Sequence, residues 1–207
     1  SKLYDDNKNH VITDALLEKF IKEYIEAQTT PQVLFTWHGG ETLMRPISFY
    51  RRALELQRYY ARGRQIDNSI QTNGVLLNDE WCRFFKENNF LVGVSIDGPQ
   101  EFHDEYRRNA MGKPSFHQVM KGINLLNKHG VEWNALAVVN DFNADYPLDF
   151  YHFFKEIGCR YIQFTPIVER IVDRNDGLTL APGMQEGGEL TDFSVTAEQW
   201  GNFLCTI

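Results

Sequence analysis

Five short apolar runs, separated by segments of helical periodicity, constrain this chain more than any other feature. The runs cover residues 33–37, 67–71, 90–96, 133–139 and 161–164. Their length and spacing predict strands of a parallel sheet with helices packed outside it. The helices are marked by their starts. Thr13 and Asp14 precede Leu16, Leu17, Phe20, Ile21, Tyr24 and Ile25 on one face,. Pro46 suits a first helical turn, and Asn78 suits the cap of a helix carrying Trp81, Phe84 and Phe85,. Ser115 with Gln118 forms a capping-box pattern ahead of Val119, Ile123 and Leu126, and Gly130 supplies the stop,. A helix from Pro147 to Ile157 closes at Gly158, and Thr196 with Gln199 opens a last one containing Trp200, Phe203 and Leu204,. Between 171 and 193 the pattern fades into Gly, Asp, Glu and Pro, predicting a long loop or mobile insertion,.

Five strands are too few for an eight-stranded closed barrel. With one strand ahead of residue 1, a six-stranded open barrel fits the spacing. The chain begins with Ser1 and stops at Ile207 while the apolar face of its last helix is still running, so it is expected to be a fragment.

Composition narrows the function classes. With 43% hydrophobic and 14% aromatic residues in 207, the chain has material for one substantial core,. No run approaches the roughly 20 apolar residues needed to cross a bilayer, and the first ten residues are not signal-like, so no membrane partner and a cytoplasmic location are expected. A net charge of -7 argues against nucleic acid as partner,. The one concentration of arginines, at 51, 52, 58, 62 and 64, is expected to be the solvated face of a single helix,. Cys82, Cys159 and Cys205 lie too far apart for a metal or disulfide framework and are expected to be buried free thiols,.

Functional groups of parallel barrels collect at the C-terminal ends of the strands, and the unusual residues lie there. Trp37-His38-Gly39-Gly40-Glu41 follows the first strand, Gln71-Thr72-Asn73-Gly74 the second, Ser95-Ile96-Asp97-Gly98-Pro99 the third and Thr165-Pro166-Ile167-Val168-Glu169-Arg170 the fifth. Paired glycines let a backbone approach a ligand, and the carboxylate of Glu41 suits an ammonium group, as on a free amino acid moiety. An ordinary strand-to-helix turn is the alternative. Ser95 and Asp97 offer a hydroxyl and a carboxylate to ribose hydroxyls, or else cap the Gly98-Pro99 turn. His38, inside a strand-end motif, faces the substrate or solvent. His103, His117, His129 and His152 show no ligand spacing and are expected at the surface or at helix ends,.

The motifs at 37–43, 71–74 and 95–99, followed by His103, Asp104 and Arg107, resemble those of anaerobic sulfatase-maturating enzymes. These are radical S-adenosylmethionine (SAM) proteins, some of them labelled arylsulfatase or chondroitin-sulfatase regulators. The resemblance covers residues 11–170. It implies a partial (β/α)6, TIM-like radical SAM barrel lacking its first strand and cluster loop. Residues 1–170 would form this core, with 171–207 leading toward a C-terminal SPASM region.

The implied reaction oxidises a cysteine or serine of a sulfatase segment to Cα-formylglycine. A [4Fe-4S] cluster held by C-x-x-x-C-x-x-C cleaves SAM, and the deoxyadenosyl radical removes a hydrogen from the target Cβ. By motif position, Gly40 with its neighbours Gly39 and Glu41 would bind the SAM amino group and Ser95 its ribose or carboxylate region, beside the ribose reading of Asp97 given above. Arg107 would hold the carboxylate, Val168 would meet adenine through its backbone, and His38 would lie near the substrate. The cluster motif occurs nowhere in the chain. It is expected just before residue 1, the catalytic aspartate of the family is expected beyond Ile207, and the fragment alone is expected to be inert. The expected partner is a sulfatase peptide, with self-association of the open sheet edge as a further expectation. A related SPASM-type peptide-modifying enzyme and a non-enzymatic regulatory or binding module are the other readings.

Overall fold

The computed structural model describes residues 11–173, 179–180 and 189–207. Its centre is a five-stranded, wholly parallel sheet in sequential order, β1 (Gln32–Trp37), β2 (Gln65–Thr72), β3 (Leu91–Ser95), β4 (Trp133–Val139) and β5 (Ile162–Pro166). Each expected run is a strand, with ends shifted by two residues at most. Helices α1 (Asp14–Ala27), α2 (Ile47–Tyr60), α3 (Asp79–Glu87), α4 (Gln100–Tyr106), α5 (Phe116–His129) and α6 (Pro147–Glu156) alternate with the strands. The α4 helix and a 3-10 turn at Thr42–Met44 carry no signal that sequence reading used.

The helices cover one face of the sheet. Ile70, Val92, Val94, Ala135 and Val139 are buried there against α3, α5 and α6, while Leu17, Ile21 and Ile25 of α1 seal Val33 and Phe35 with α2. Apolar burial of this kind contributes roughly 25 cal/mol per Å² and is the main force holding helices to sheet. The opposite face is open. Leu34, Leu91 and Tyr161 remain exposed on it, beside Thr36, Gln163 and Thr165. Parallel sheets are normally covered on both sides, so the uncovered face, which mixes polar and apolar side chains, is that of an opened barrel.

Between α2 and β2, Gln57 and Asn68 exchange two side-chain hydrogen bonds of 2.9 Å, and Trp37 Nε1 donates to the same Asn68 oxygen. The oxygens and nitrogens of both buried amides are hydrogen-bonded, which offsets their desolvation and sets the seating of α2,.

Most helix starts match expectation. Thr13 accepts from Leu16, Asn78 from Trp81, Thr196 and Gln199 form a complete capping box before α7 (Ala197–Thr206), and Pro147 begins α6. Pro46 sits one place earlier than expected, at the cap of α2. Ser115 does not cap α5: its side chain makes no cap bond. Instead Asp104 Oδ1 accepts from the amides of both Ser115 and Phe116 at 2.9 Å. A carboxylate arriving from α4 serves the positive helix end better than a hydroxyl does, and it frees the serine for another partner.

Other expectations are corrected. Arg62 and Arg64 lie beyond α2, where Arg62 pairs with Glu26 and Arg64 donates to the Ile25 carbonyl, so the arginines clamp α1 rather than line one helix face. Cys82 is buried and Cys159 partly so, but Cys205 is exposed, because α7 turns Phe203 rather than Cys205 inward against Phe150 and Phe164. The loop expected from 171 to 193 lies largely outside the described residues. Within them, β6 (Arg170–Asp173) pairs antiparallel with β7 (Thr179–Leu180) and β8 (Glu189–Leu190). No helix of the described residues is long and apolar enough to cross a membrane.

Close approach makes one glycine indispensable. A Cβ on Gly122 of α5 would stand 2.4 Å from the Gly74 carbonyl oxygen and 3.0 Å from Leu77 Cδ1. Gly122→Ala is therefore expected to lower the free energy of urea unfolding by about 1–3 kcal/mol, despite the ~1 kcal/mol that alanine adds to helix propensity. Gly201→Ala in α7, where nothing lies within 4 Å, is expected to raise it by about 0.5–1 kcal/mol,. Equal gains at both positions would show that α5 does not press on the β2 loop.

Candidate functional site

A cleft of about 530 Å³ opens at the C-terminal ends of β1, β2 and β3. Glu41, Asn73 and Ser95 reach it from three successive strand ends, and Arg107 and Arg108 close it from the segment after α4. Met44 and Leu76 form an apolar lip. A larger cavity of about 710 Å³ lies at the opposite pole, among Leu91, Trp133 and Tyr161. It contains none of the strand-end motifs, and parallel barrels place ligands at the other end, so the smaller cleft is the candidate site.

Glu41 holds the first two strands together. Its Oε1 accepts from the Thr72 hydroxyl at 2.7 Å and the Leu43 amide at 3.0 Å, and its Oε2 from the Asn73 amide at 2.9 Å. A carboxylate offers about four acceptor positions, so three internal donors leave about one for a ligand. Thr42 Oγ1 donates to the Gln71 carbonyl and Tyr50 donates to the Thr42 carbonyl, which anchors the same turn from below. Burial, with the Glu41 charge second, pushes the Tyr50 phenol up to about 12, so it stays a donor. Gly39 and Gly40 precede this clamp with φ of 111° and 56°, a left-handed pair that side chains with a Cβ rarely tolerate,. Both are exposed, as is His38.

Asp97 is 3% exposed and lies behind the cleft rather than in it. Arg107 Nε donates to its Oδ2 at 2.5 Å and Arg107 Nη2 to its Oδ1 at 3.0 Å, while the Val138 amide donates to Oδ1 at 2.8 Å. The carboxylate thus fixes a guanidinium and joins β3 to β4,. Val168 stands 57% exposed past the end of β5, outside the lining of the cleft. Of the residues singled out by sequence, Glu41, Ser95 and Arg107 meet in the cleft, Asp97 supports it from behind, and Gly39, Gly40, His38 and Val168 do not line it.

Sequence reading gave no site role to His103, Ser115 or Arg108, all of which border the cleft. His103, expected at the surface or at a helix end, lies in the last turn of α4 and is fully buried. Burial pushes its imidazole down to about 4, against the opposing pull of Asp97, with Arg107 adding to the fall and Asp104 resisting it. Arg108 uses Nε on the Glu105 carbonyl and makes no ion pair among the described residues. His103 belongs to the family motif and Ser115 to a capping-box pattern, but neither pattern shows that the two meet, and α4, which carries His103, is itself without a sequence signal.

The sequence profile of the radical SAM superfamily matches residues 4–154. The chain belongs to the radical SAM superfamily. A serine-type anaerobic sulfatase-maturating enzyme of Bacteroides thetaiotaomicron is 75% identical over 209 residues, covering 100% of this chain and 50% of that enzyme. A cysteine-type anaerobic sulfatase-maturating enzyme of Clostridium novyi is 41% identical over 159 residues, covering 76% of this chain and 42% of its own length. A solved structure described as native anSMEcpe with bound AdoMet and Cp18Cys peptide superposes with a TM-score of 0.82 at 29% identity, over 95% of this chain and 51% of that one. The radical SAM chain thus spans about half the length of the relatives it matches, and its parallel half-barrel is the fold that they share.

Two cofactor questions have different answers in this radical SAM core. The cleft offers an anion-binding guanidinium, a carboxylate and a hydroxyl, a donor set that fits a zwitterionic amino acid moiety,. No group of three His, Cys, Asp or Glu among the described residues is arranged to hold a metal, so these residues do not fit an iron–sulfur cluster and no step is derived through one,.

The buried imidazole makes a pH prediction. A histidine held near 4 in the folded state and near 6.5 when unfolded binds a proton only in the unfolded chain between those values,. Its contribution is complete above 6.5 and is lost as the pH falls toward 4. Urea titrations across that window should show wild-type stability dropping more steeply than that of His103→Leu. Parallel curves would show that the ring is not held neutral.

Proposed function

We propose that the protein containing this chain oxidises a serine of a sulfatase to Cα-formylglycine, and that this chain forms its SAM-binding cleft. The observation that carries this reading is the meeting of Glu41, Ser95 and Arg107, from three separate motifs, in one cleft at the strand ends. The 75% identity to a serine-type maturase favours serine over cysteine as the target.

In this reading the main chain of Gly39 and Gly40, with the remaining acceptor position of Glu41, takes the methionine ammonium of SAM. Arg107 takes its carboxylate through the guanidinium fork, aimed by Asp97, and Ser95 donates to the ribose or carboxylate region,. Val168 meets adenine through its backbone at the end of β5, and His38 faces the sulfatase segment across the open sheet. SAM, when bound, supplies the radical that takes hydrogen from the serine Cβ; the clusters belong to cysteines outside this chain. CH2OH would become CHO by loss of one hydrogen atom from Cβ to that radical and of the hydroxyl proton and one electron, the proton to a base and the electron to a cluster, both outside this chain. The uncovered sheet face leaves room for that segment. A cytoplasmic setting accords with the free thiols of Cys82, Cys159 and Cys205, which a reducing compartment preserves,.

Isothermal titration of the full-length protein with SAM tests the cleft. Arg107→Ala, which removes charge-assisted hydrogen bonds of about 1.5–3 kcal/mol, should weaken SAM binding by about ten- to a hundredfold. Ser95→Ala should cost roughly two- to tenfold. Mass spectrometry of a sulfatase-derived serine peptide should show the loss of two hydrogens with the wild type. Full SAM affinity in Arg107→Ala would refute the assigned cleft, and an unmodified peptide beside active SAM cleavage would refute the sulfatase substrate.

A further inference from the structure

His103 is fully buried in α4, and both of its ring nitrogens are engaged. The Asp97 amide points at Nδ1 from 3.3 Å, a long hydrogen bond, and Ser115 Oγ lies 3.0 Å from Nε2. A backbone amide only donates, so Nδ1 is the acceptor and a neutral ring carries its proton on Nε2. That proton goes to Ser115 Oγ, whose own proton goes to the Arg107 carbonyl at 2.8 Å. Every donor and acceptor in the relay then has one consistent assignment. The relay starts at the Asp97 main chain and ends at the Arg107 main chain, the same two residues whose side chains are paired at 2.5 and 3.0 Å.

The same relay explains why Ser115 leaves the capping of α5 to Asp104. Arg107 is the point at which the backbone leaves α4, its amide still bonded to the His103 carbonyl at 2.9 Å and its φ and ψ, -92° and 90°, already extended. A guanidinium is useful in a cleft only if its Cα is held, because a free arginine has several rotatable bonds to order on binding. The Asp97 carboxylate fixes the far end of this side chain. Something must fix the near end, and the imidazole relay does so.

We propose that His103, as the neutral Nε2–H tautomer, is a positioning residue that sets Arg107 for its ligand by tying the Arg107 main chain to the end of β3. The proposal rests on the reading of the cleft as a SAM site for its functional consequence, but the tautomer and the relay do not. An imidazolium would have no acceptor for the Asp97 amide, and burial, which keeps the ring near 4, holds it neutral among Asp97, Asp104 and Arg107.

A double-mutant cycle in the full-length protein separates positioning from mere structure. In the wild-type background, His103→Leu is expected to weaken SAM binding by about tenfold, equivalent to roughly 1.4 kcal/mol, with partial recovery in His103→Asn, whose oxygen can replace Nδ1. In the Arg107→Ala background the same His103→Leu change should cost almost nothing further, because it acts through Arg107. Additive losses, or no loss in the wild-type background, would overturn the proposal. Ser115→Ala, which breaks the relay without disturbing the ring's packing, should follow the same pattern and decides the question if His103→Leu fails to fold. Nitrogen-15 NMR of histidine-labelled protein is independent of SAM: a proton on Nε2 and none on Nδ1 from about pH 5 to 8 is expected. The opposite tautomer would overturn the proposal. A wild-type protein that shows the expected tautomer yet binds no SAM would overturn the reading of the cleft and with it the role proposed for the relay.

Discussion

One buried carboxylate, that of Asp97, organises the candidate site. It receives the Arg107 guanidinium and the Val138 amide, so a residue just past β3 holds β4 on one side and the segment after α4 on the other. Removing one partner of a buried ion pair typically costs about 3–5 kcal/mol, because the other charge is stranded away from water. The arrangement therefore ties the cleft wall to the sheet through a carboxylate that is almost wholly buried. Stability and ligand geometry are set by the same bonds.

Glu41 does the corresponding work on the first two strands. Its three internal hydrogen bonds draw the β1 loop onto the end of β2, where Asn73 enters the cleft. Both carboxylates that sequence assigns to a ligand are thus bound largely by the protein itself. Groups so committed cost little reorganisation when a ligand arrives, which is the usual basis of preorganised recognition. The sheet carries its core on one face, while Leu34 and Leu91 on the other remain exposed.

Much of this fold was legible. The five strands and most helix caps follow from local rules, because a strand buried on at least one face must be apolar at alternate positions and a helix must satisfy its first amides nearby. The errors share a cause. Ser115 with Gln118 satisfies the capping-box pattern, but Asp104, eleven residues earlier, takes the amides instead. His103 carries no burial signal in its neighbours, yet it lies at the junction of α4, α5 and β3 with both nitrogens satisfied. Cys205 faces outward only because Phe203 claims the inward direction of α7. Each outcome was settled by a partner distant in sequence.

The sequence by itself determined the parallel α/β architecture, the positions of the strand ends and the residue types available there, because periodicity, capping and turn chemistry act over a few residues. The resemblance of three motifs in order placed the chain in its superfamily. Only the tertiary structure decided which of those residues share the cleft, that Asp97 turns away from it to hold Arg107, and that His103 is an internal hydrogen-bond relay. Those outcomes depend on the crossing of helices over the sheet, where burial makes each unpaired polar group costly and forces partners together that no local pattern connects.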